Sequence, residues 1–230
     1  MDNMITPNEY FDDIYCLNLK RRAVKWQNVK SKFIREQISV KRIYGIDGSD
    51  ATVRAVYEHK EKNNQCQHIY SPSGYAILES FLVILNDILD SNAQKVLIFE
   101  DDVLFHKNFR ELFRKQVSAL PKDWNIWYLG GTQQTLPEQY NKNSINPNFY
   151  HPQRMDGCFA IAIDRTIIPK LIKTATDYEY PLDSLIKNKL ESETHGIISS
   201  DPFLCAHDYS ISDNLDIDRT HKNKENYDYH

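Results

Sequence analysis

Residues 95–105 read KVLIFEDDVLF, an apolar run followed by three consecutive acids and a second apolar run. An apolar run rich in branched and aromatic residues is typical of a strand in a sheet that is covered on both faces. Because neighbouring carboxylates repel each other, we expect Glu100, Asp101 and Asp102 at the carboxyl end of that strand, where they can share a cation. Mg²⁺ and Mn²⁺ prefer such oxygen ligands. The alternative interpretation is a solvated acidic loop before the next helix.

Strand and helix patterns alternate on both sides of this stretch. Further apolar runs predict strands at residues 13–19, 40–44, 125–129 and 157–163. Helical periodicity predicts helices at residues 22–37, 75–89, 108–120, 165–174 and 180–190. This alternation predicts an α/β fold with a mostly parallel sheet flanked by helices, in which ligands bind at the carboxyl ends of the strands. We expect one domain over residues 1–215 and a polar, loose tail over residues 216–230.

The composition is typical of a globular protein and does not favour nucleic acid or a membrane interior as a partner. The 230 residues carry a formal net charge of -4, and 41% of them are hydrophobic. Because positive charge is not in excess, nucleic acid is not an expected partner. No run approaches the roughly 18 apolar residues that cross a bilayer, and the N-terminus does not resemble a secretory signal. We therefore expect a cytoplasmic protein without a transmembrane segment, whose contact with membranes would be peripheral.

The four cysteines are far apart in the chain and form no CxxC pair. They are Cys16, Cys66, Cys158 and Cys205. Their spacing favours free, buried thiols in a reducing compartment. Structural zinc and disulfide bonds are the alternatives.

Three further positions are candidates for chemistry. The run Asn18–Arg22 follows the first predicted strand and opens a helix, where basic side chains and backbone N–H groups bind phosphate. A solvated helix start is the alternative. His207 is a candidate metal ligand or an ordinary core or surface histidine. Asp183 precedes an apolar run, so it is a candidate general base or a helix N-cap.

The order of these segments resembles glycosyltransferase family 25, which includes bacterial lipooligosaccharide galactosyltransferases and collagen hydroxylysine galactosyltransferases. The strongest match is Leu97–Val103. The other matching segments are Ile14–Arg22, Trp26, Tyr44–Gly48, Gly74–Ile77, Trp124–Gly130, Gly157–Ile161 and Pro181–Asp183. The resemblance extends over residues 13–213. The chain is similar to a divergent member, because Leu78-Glu79 stands where the family usually has Ser-His.

The resemblance implies a GT-A-like fold and a metal-dependent, inverting transfer of galactose or another hexose. The donor would be a nucleotide sugar, with UDP as the expected nucleotide, and the cation would be Mn²⁺ or Mg²⁺. The acceptor would be a saccharide, a lipid-linked glycan as in lipopolysaccharide synthesis, or a protein hydroxyl.

The resemblance also implies roles for individual residues. The metal ligands would be Glu100, Asp102 and His207. The donor would contact Leu17, Asn18, Arg21, Arg22, Gly74 and Asp101, with Tyr15 also beside the base. The general base would be Asp183, with Asp156 as the second choice.

Two other classes of function stay open at this point. The chain could be a catalytically silent module of glycosyltransferase type that binds a nucleotide or a glycan, and the departure at Leu78-Glu79 favours that interpretation. A metal-dependent phosphodiesterase or nuclease also gathers acids. Such sites usually draw several His and Asp residues from separate strands, and the sequence does not show that set.

Overall fold

The computed structural model describes residues 5–133, 144–208, 211–212, 217–218 and 228–230. The described strands are β1 Asp13–Leu19, β2 Lys41–Gly45, β3 Lys95–Glu100, β4 Val103–Phe105, β5 Ile126–Gln133, β6 Ser144–Asn146, β7 Phe149–Tyr150, β8 Met155–Asp164, β9 Ile197–Ser200, β10 Cys205–His207, β11 Ile211–Ser212 and β12 Ile217–Asp218. The described α-helices are α1 Pro7–Tyr10, α2 Ala23–Glu36, α3 Ala51–Lys62, α4 Pro72–Asp90, α5 Phe109–Ala119, α6 Ile168–Ala175 and α7 Leu182–Leu185.

One mixed sheet contains eight of these strands, in the order β2-β1-β3-β8-β5-β9-β7-β6. β1 is parallel to β2 and β3, and β5 is parallel to β9. β8 is antiparallel to β3 and β5, and β7 is antiparallel to β9 and β6. Six strands therefore point one way and two the other. The predicted single-domain α/β fold with a mostly parallel sheet is confirmed.

The reversed strand β8 is not predicted by the sequence patterns. Parallel neighbours need a crossover, usually a helix, whereas antiparallel neighbours do not. The described residues between β5 and β8 contain the short strands β6 and β7 and no helix. The chain therefore returns beside β5 in the opposite direction.

The strand before the acids is buried on both faces, as predicted. Side chains alternate along a strand, so Val96 and Ile98 join the core on one face of the sheet, with residues of α4 and α6. Leu97 and Phe99 join the core on the other face, with residues of α2 and α5. All four side chains are fully buried. The end of β3 is therefore fixed from both sides.

A small antiparallel ribbon continues from the acids. β4 pairs with β10, so that Val103 lies opposite His207 and Phe105 opposite Cys205. On the other side of β4, the backbone N–H of Phe105 donates to the carbonyl of His230, and the N–H of His230 donates to the carbonyl of Phe105, each over 2.9 Å. Asp228–His230, within the segment predicted as a tail, therefore contact β4. The ribbon brings His207 to the acids.

Helix α4 packs in the core beside the sheet. Its N-cap is Ser71, whose Oγ accepts from the N–H of Gly74 over 3.1 Å, and Pro72 occupies the first turn. Contrary to the sequence-based expectation, α4 is long and apolar enough to cross a membrane, and it is the one described helix of that kind. Ten of its 19 residues are buried in the protein. A buried core helix has this pattern.

Two local predictions differ from the structure. The helix predicted at residues 180–190 is instead the short α7, followed by a π-helical turn at Ile186–Leu190. Pro181 is the N-cap of α7, and Asp183 lies inside the first turn, so the N-cap interpretation of Asp183 is wrong.

The four cysteines are buried and free.

Gly130 on β5 sets how closely β10 approaches the sheet. A Cβ atom at Gly130 would lie 2.2 Å from the carbonyl oxygen of Cys205 on β10. We expect Gly130→Ala to lower the free energy of unfolding by about 1–3 kcal/mol, because overpacking forces the backbone to shift. Urea denaturation measures the loss. Gly45→Ala is the control, since its Cβ would meet flexible ends of Leu17 and Leu19 at 3.2 and 3.4 Å. An equal loss in both variants would contradict this account.

Candidate active site

A cavity of about 300 Å³ opens at the carboxyl ends of β1, β2 and β3. Other wall residues come from the start of α2, the start of α4, β8, α7 and β10. Nine of the eleven predicted site residues line it: Leu17, Asn18, Arg21, Gly74, Glu100, Asp101, Asp102, Asp183 and His207. Arg22 and Asp156 do not line it. The structure thus brings most of the predicted residues together, while their individual roles remain predictions.

The acidic triplet is held between β3, β4 and α2. Nε2 of His207 lies 3.1 Å from Oδ2 of Asp102. Nζ of Lys25, in the first turn of α2, lies 3.6 Å from the same oxygen and 3.9 Å from Oδ1 of Asp101. Lys25 is not among the residues predicted from the sequence. Its position three residues after Arg22, one helical turn further along, is the signal that could have identified it.

The surroundings of Glu100 and Asp102 shift the pKa values of these two acids in opposite directions. Burial and the neighbouring charge of Asp102 raise the pKa of Glu100 to about 8. Burial alone would also raise the pKa of Asp102, but the hydrogen bond and charge of His207, with Lys25, hold that pKa below its ordinary value. Burial opposes protonation of His207, whereas its bond to Asp102 raises its pKa. In the pair of Asp102 and His207, Asp102 is therefore a carboxylate at neutral pH.

Asn18 connects β1 to the acidic triplet and is almost fully buried. Its Nδ2 donates to Oδ2 of Asp101, and its Oδ1 accepts from Nε of Arg42 over 3.1 Å. The guanidinium of Arg42 lies 4.6 Å from the ring centres of Trp26 and Tyr44. Arg42 is not predicted from the sequence, because nothing along the chain indicates that β2 pairs with β1.

The two arginines of the basic run have different environments. Nε of Arg21 lies 2.6 Å from Oδ2 of Asp47, and Arg21 lines the cavity. Burial opposes ionisation of Asp47, yet the hydrogen bonds from Arg21 and Ser49 lower its pKa to about 2. Arg22 is the N-cap of α2, and its carbonyl accepts from Nδ2 of Asn18 over 3.3 Å. Arg21, rather than Arg22, is therefore positioned to meet a ligand in the cavity.

The two candidate bases also differ in position. Asp183 faces the cavity, and its carboxylate accepts from the N–H of Gly157 over 3.2 Å and of Ser184 over 2.7 Å. Gly157 has φ +83, a conformation that favours glycine. Asp156 forms an ion pair with Lys187, outside the cavity lining. The geometry therefore favours Asp183 over Asp156.

Leu78 and Glu79, where the chain departs from the family, do not line the cavity, and neither does Tyr15, which is predicted to contact the base. Leu78 is fully buried. Glu79 accepts hydrogen bonds from Tyr75 and Tyr178, whereas Ser80 lines the cavity and its Oγ accepts from the N–H of Ile46 over 2.9 Å. Tyr15 is buried, and its hydroxyl donates to Asp87. A contact of Tyr15 with a base in this cavity does not fit these positions.

The acidic end of the cavity has donor atoms that suit a divalent cation. Oδ1 of Asp102 is buried and has no hydrogen-bond partner among the described residues. Carboxylate oxygens and a histidine nitrogen are ligands that Mn²⁺ accepts. No group of three or more His, Cys, Asp or Glu side chains in the described part of the chain is arranged to hold a metal ion. The orphaned oxygen and the donor types fit a cation, and a bound diphosphate would supply further ligands.

Comparison with known proteins identifies the class that this chain resembles, the glycosyltransferases. The family model described as "Glycosyltransferase family 25 (LPS biosynthesis protein)" matches residues 11–186. That span is most of the sequence, so the chain belongs to glycosyltransferase family 25.

Curated relatives agree with this family. Mouse procollagen galactosyltransferase 2 is 24% identical over 147 residues, which are 59% of this chain and 24% of the relative. The human protein of the same name is 23% identical over 137 residues, covering 56% and 22%. Procollagen galactosyltransferase 1 of Danio rerio is 26% identical over 129 residues, covering 52% and 21%. The chain thus spans about a quarter of the length of these relatives.

Solved structures show only slight likeness. A mannose-1-phosphate geranyltransferase from Thermus thermophilus matches with a TM-score of 0.41 and 9% identity, covering 81% of this chain and 58% of that one. Mouse xyloside xylosyltransferase 1, apo form, matches with a TM-score of 0.41 and 11% identity, covering 80% and 83%. Likeness at this level supports no further conclusion about this chain.

The pair of Arg21 and Asp47 should make stability depend on pH. Because the pKa of Asp47 is lower in the folded protein than in the unfolded chain, its stabilisation is complete above about pH 4 and is lost as the pH falls towards 2. We expect wild type to be more stable than Asp47→Asn at pH 6, with the difference shrinking below pH 4. Urea denaturation between pH 2 and 6 measures it. A difference that stays constant over this range would contradict the assignment.

Proposed function

We propose that this chain transfers a hexose, galactose or another, from a nucleotide-sugar donor to a hydroxyl of a glycan or protein acceptor. We further propose UDP as the nucleotide, Mn²⁺ or Mg²⁺ as the cation and inversion at the anomeric carbon. Membership of the family supports the reaction class. The observation that supports the cation is Asp102, a largely buried carboxylate at the cavity wall whose Oδ1 has no hydrogen-bond partner among the described residues.

We propose that Glu100, Asp102 and His207 supply ligands to the cation and that the donor's diphosphate completes the set, since the described side chains form no metal-binding group by themselves. When bound there, the cation would supply positive charge to stabilise the departing diphosphate. Asn18 fixes Asp101, and His207 fixes Asp102, so the carboxylates are oriented before any ligand arrives. The raised pKa of Glu100 means that a cation would bind there in competition with a proton.

Cationic side chains of the protein add to this end of the cavity. Arg21 and Lys25 both line it, and both lie at the start of α2, where backbone N–H groups favour an anion. We propose that they contact the donor's diphosphate. Their present partners, Asp47 for Arg21 and Asp101 and Asp102 for Lys25, hold them in place.

Asp183 is the proposed general base. It lies on the part of the cavity wall that β8 and α7 contribute, whereas β1 and the start of α2 contribute the proposed donor contacts. Inversion needs a base that removes the acceptor's proton on the face opposite the leaving group. Hydrogen bonds from the backbone N–H groups of Gly157 and Ser184 orient the carboxylate of Asp183.

Replacement of Asp102 tests the cation site. We expect Asp102→Asn to abolish sugar transfer and to abolish the Mn²⁺-dependent rise in Tm that a nucleotide sugar gives the wild type, because a ligand that binds the native state raises its stability. Asp90→Asn, at an exposed carboxylate on the end of α4, is the matched control and should behave as wild type. Full activity of Asp102→Asn in the presence of a chelator would overturn the cation site.

Replacement of Asp183 tests the base. We expect Asp183→Asn to lower kcat by about 10²–10⁴-fold while the Kd for the donor changes little, because the base acts on the acceptor. Asp156→Asn is the comparison, since Asp156 is paired with Lys187 outside the cavity; it should lose stability rather than turnover. Steady-state kinetics and donor titration separate the two effects. Equal losses of kcat and donor affinity in Asp183→Asn would make Asp183 a binding or structural residue.

A further inference from the structure

Three aromatic rings that do not line the cavity lie together on segments that continue into its wall. They belong to His68, Tyr70 and Tyr180, and we call them the ring group. Tyr70 is 81% exposed, which makes it the most exposed large hydrophobic side chain in the described part of the chain. A single exposed aromatic ring is ordinary, so the case for a ligand depends on the other two rings and on the segments that carry them.

The ring group has a defined internal geometry. The ring of His68 stacks on that of Tyr180 with a centroid distance of 4.5 Å and an interplanar angle of 10°. Tyr70 meets His68 edge-on at 6.4 Å and 81°, and its hydroxyl lies 3.2 Å from Nδ1 of His68. The backbone N–H of His68 donates to the carbonyl of Glu179 over 3.0 Å. Contacts from two distant parts of the chain therefore fix the rings relative to each other.

The backbone on both sides of the ring group is anchored to the core. Glu79 on α4 accepts hydrogen bonds from Tyr75 and Tyr178, each over 2.7 Å. Tyr178 has a left-handed backbone with φ 53, and Lys60 lies 3.7 Å from the centre of its ring. The hydroxyl of Tyr57 donates to the carbonyl of Ile69 over 2.9 Å. These contacts preorganise the surface, and preorganisation lowers the entropy lost when a ligand binds.

The ring group belongs to two chain segments that continue into the cavity wall. Tyr180 directly precedes Pro181, which with Asp183 lines the cavity. Tyr70 directly precedes Ser71, the N-cap of α4, whose first turn supplies Ser73 and Gly74 to the cavity wall. The proposed phosphate contacts, Arg21 and Lys25, belong to a different segment, at the start of α2. The ring group is therefore close along the chain to the proposed base rather than to the proposed phosphate contacts.

The chemistry of the ring group suits a pyranose. One face of a pyranose carries C–H bonds that pack on an aromatic ring, and its hydroxyls hydrogen-bond to polar groups at the edge. Tyr and His rings offer both an apolar body and a polar atom. Tyr70 presents a hydroxyl, and Lys189 adds a cation 5.4 Å from the centre of the Tyr180 ring. The exposed ring of Tyr70 is the surface open to such a contact, because the ring of Tyr180 is stacked on that of His68.

We propose that the ring group binds a pyranose of the acceptor, so that the acceptor of this chain is a saccharide. This inference rests on the proposed function, because it assigns the acceptor class of the same site. Sugar binding to the ring group is nevertheless a separate event from binding of the donor at Asp102. The two can therefore be measured independently.

Direct binding measurements test the ring group. The probes are methyl β-galactopyranoside, methyl β-glucopyranoside and a collagen-type Gly-X-Y peptide, titrated by saturation-transfer NMR against protein containing UDP and Mn²⁺. We expect at least one glycoside to bind to wild type, with its Kd raised about five-fold or more in Tyr70→Ala. Tyr70→Phe keeps the ring and should retain most of the affinity. Val83→Ala, at a 54% exposed position on α4, is the control and should bind as wild type.

Three outcomes would overturn the inference. They are binding of the peptide but neither glycoside, glycoside binding that Tyr70→Ala leaves unchanged, and binding of none of the probes. Failure of the proposed function has a different signature, because UDP-sugar with Mn²⁺ would then fail to raise the Tm of the wild type even if a glycoside bound. Circular dichroism of Tyr70→Ala and His68→Ala confirms that the variants are folded.

Discussion

Partial burial of three adjacent carboxylates at the end of β3 is the constraint on which the other features of the site depend. Charges taken out of water must be paired or protonated. Asp102 is paired with His207 and Lys25, Asp101 is bonded by Asn18, and Glu100 has a pKa of about 8. Neighbouring groups thus compensate the charge of Asp101 and Asp102, whereas a raised pKa reduces the charge of Glu100. The partners come from α2, β1 and β10, so compensating the charge also joins distant parts of the fold.

Different elements supply the two sets of polar groups in the cavity wall. β1, β2 and the start of α2 supply the amide and cationic groups around Asp101 and Asp102. The reversed strand β8 and α7 supply Gly157 and Asp183. The ribbon of β4 and β10 adds His207 to the acids. Under the proposed function, the first set would meet the cation and diphosphate and the second set the acceptor hydroxyl.

The features that the sequence predicts correctly are local ones. The apolar run of β3 and the acids after it identify both a buried strand and the end at which the cavity opens, and Asn18 and Arg21 follow from the same rule applied to β1. The contacts that complete the site are harder to predict from the sequence. His207 and Asp102 meet only because β10 pairs with β4 in a particular register, and Arg42 reaches Asn18 only because β2 lies beside β1. Asp156 and Asp183 look equivalent in the sequence, and only the ion pair with Lys187 separates them.

The hydrogen bond between Gly157 and Asp183 separates two groups of contacts. Asp183 is bonded to β8, while the loop at residues 177–181 that precedes it carries Tyr178 and Tyr180 in contact with α3, α4 and His68. Neither group shares a residue with the network of Asn18, Asp101 and Lys25. Under the proposed function, substitutions in residues 66–70 and 177–181 would change the choice of acceptor while leaving the donor contacts in place.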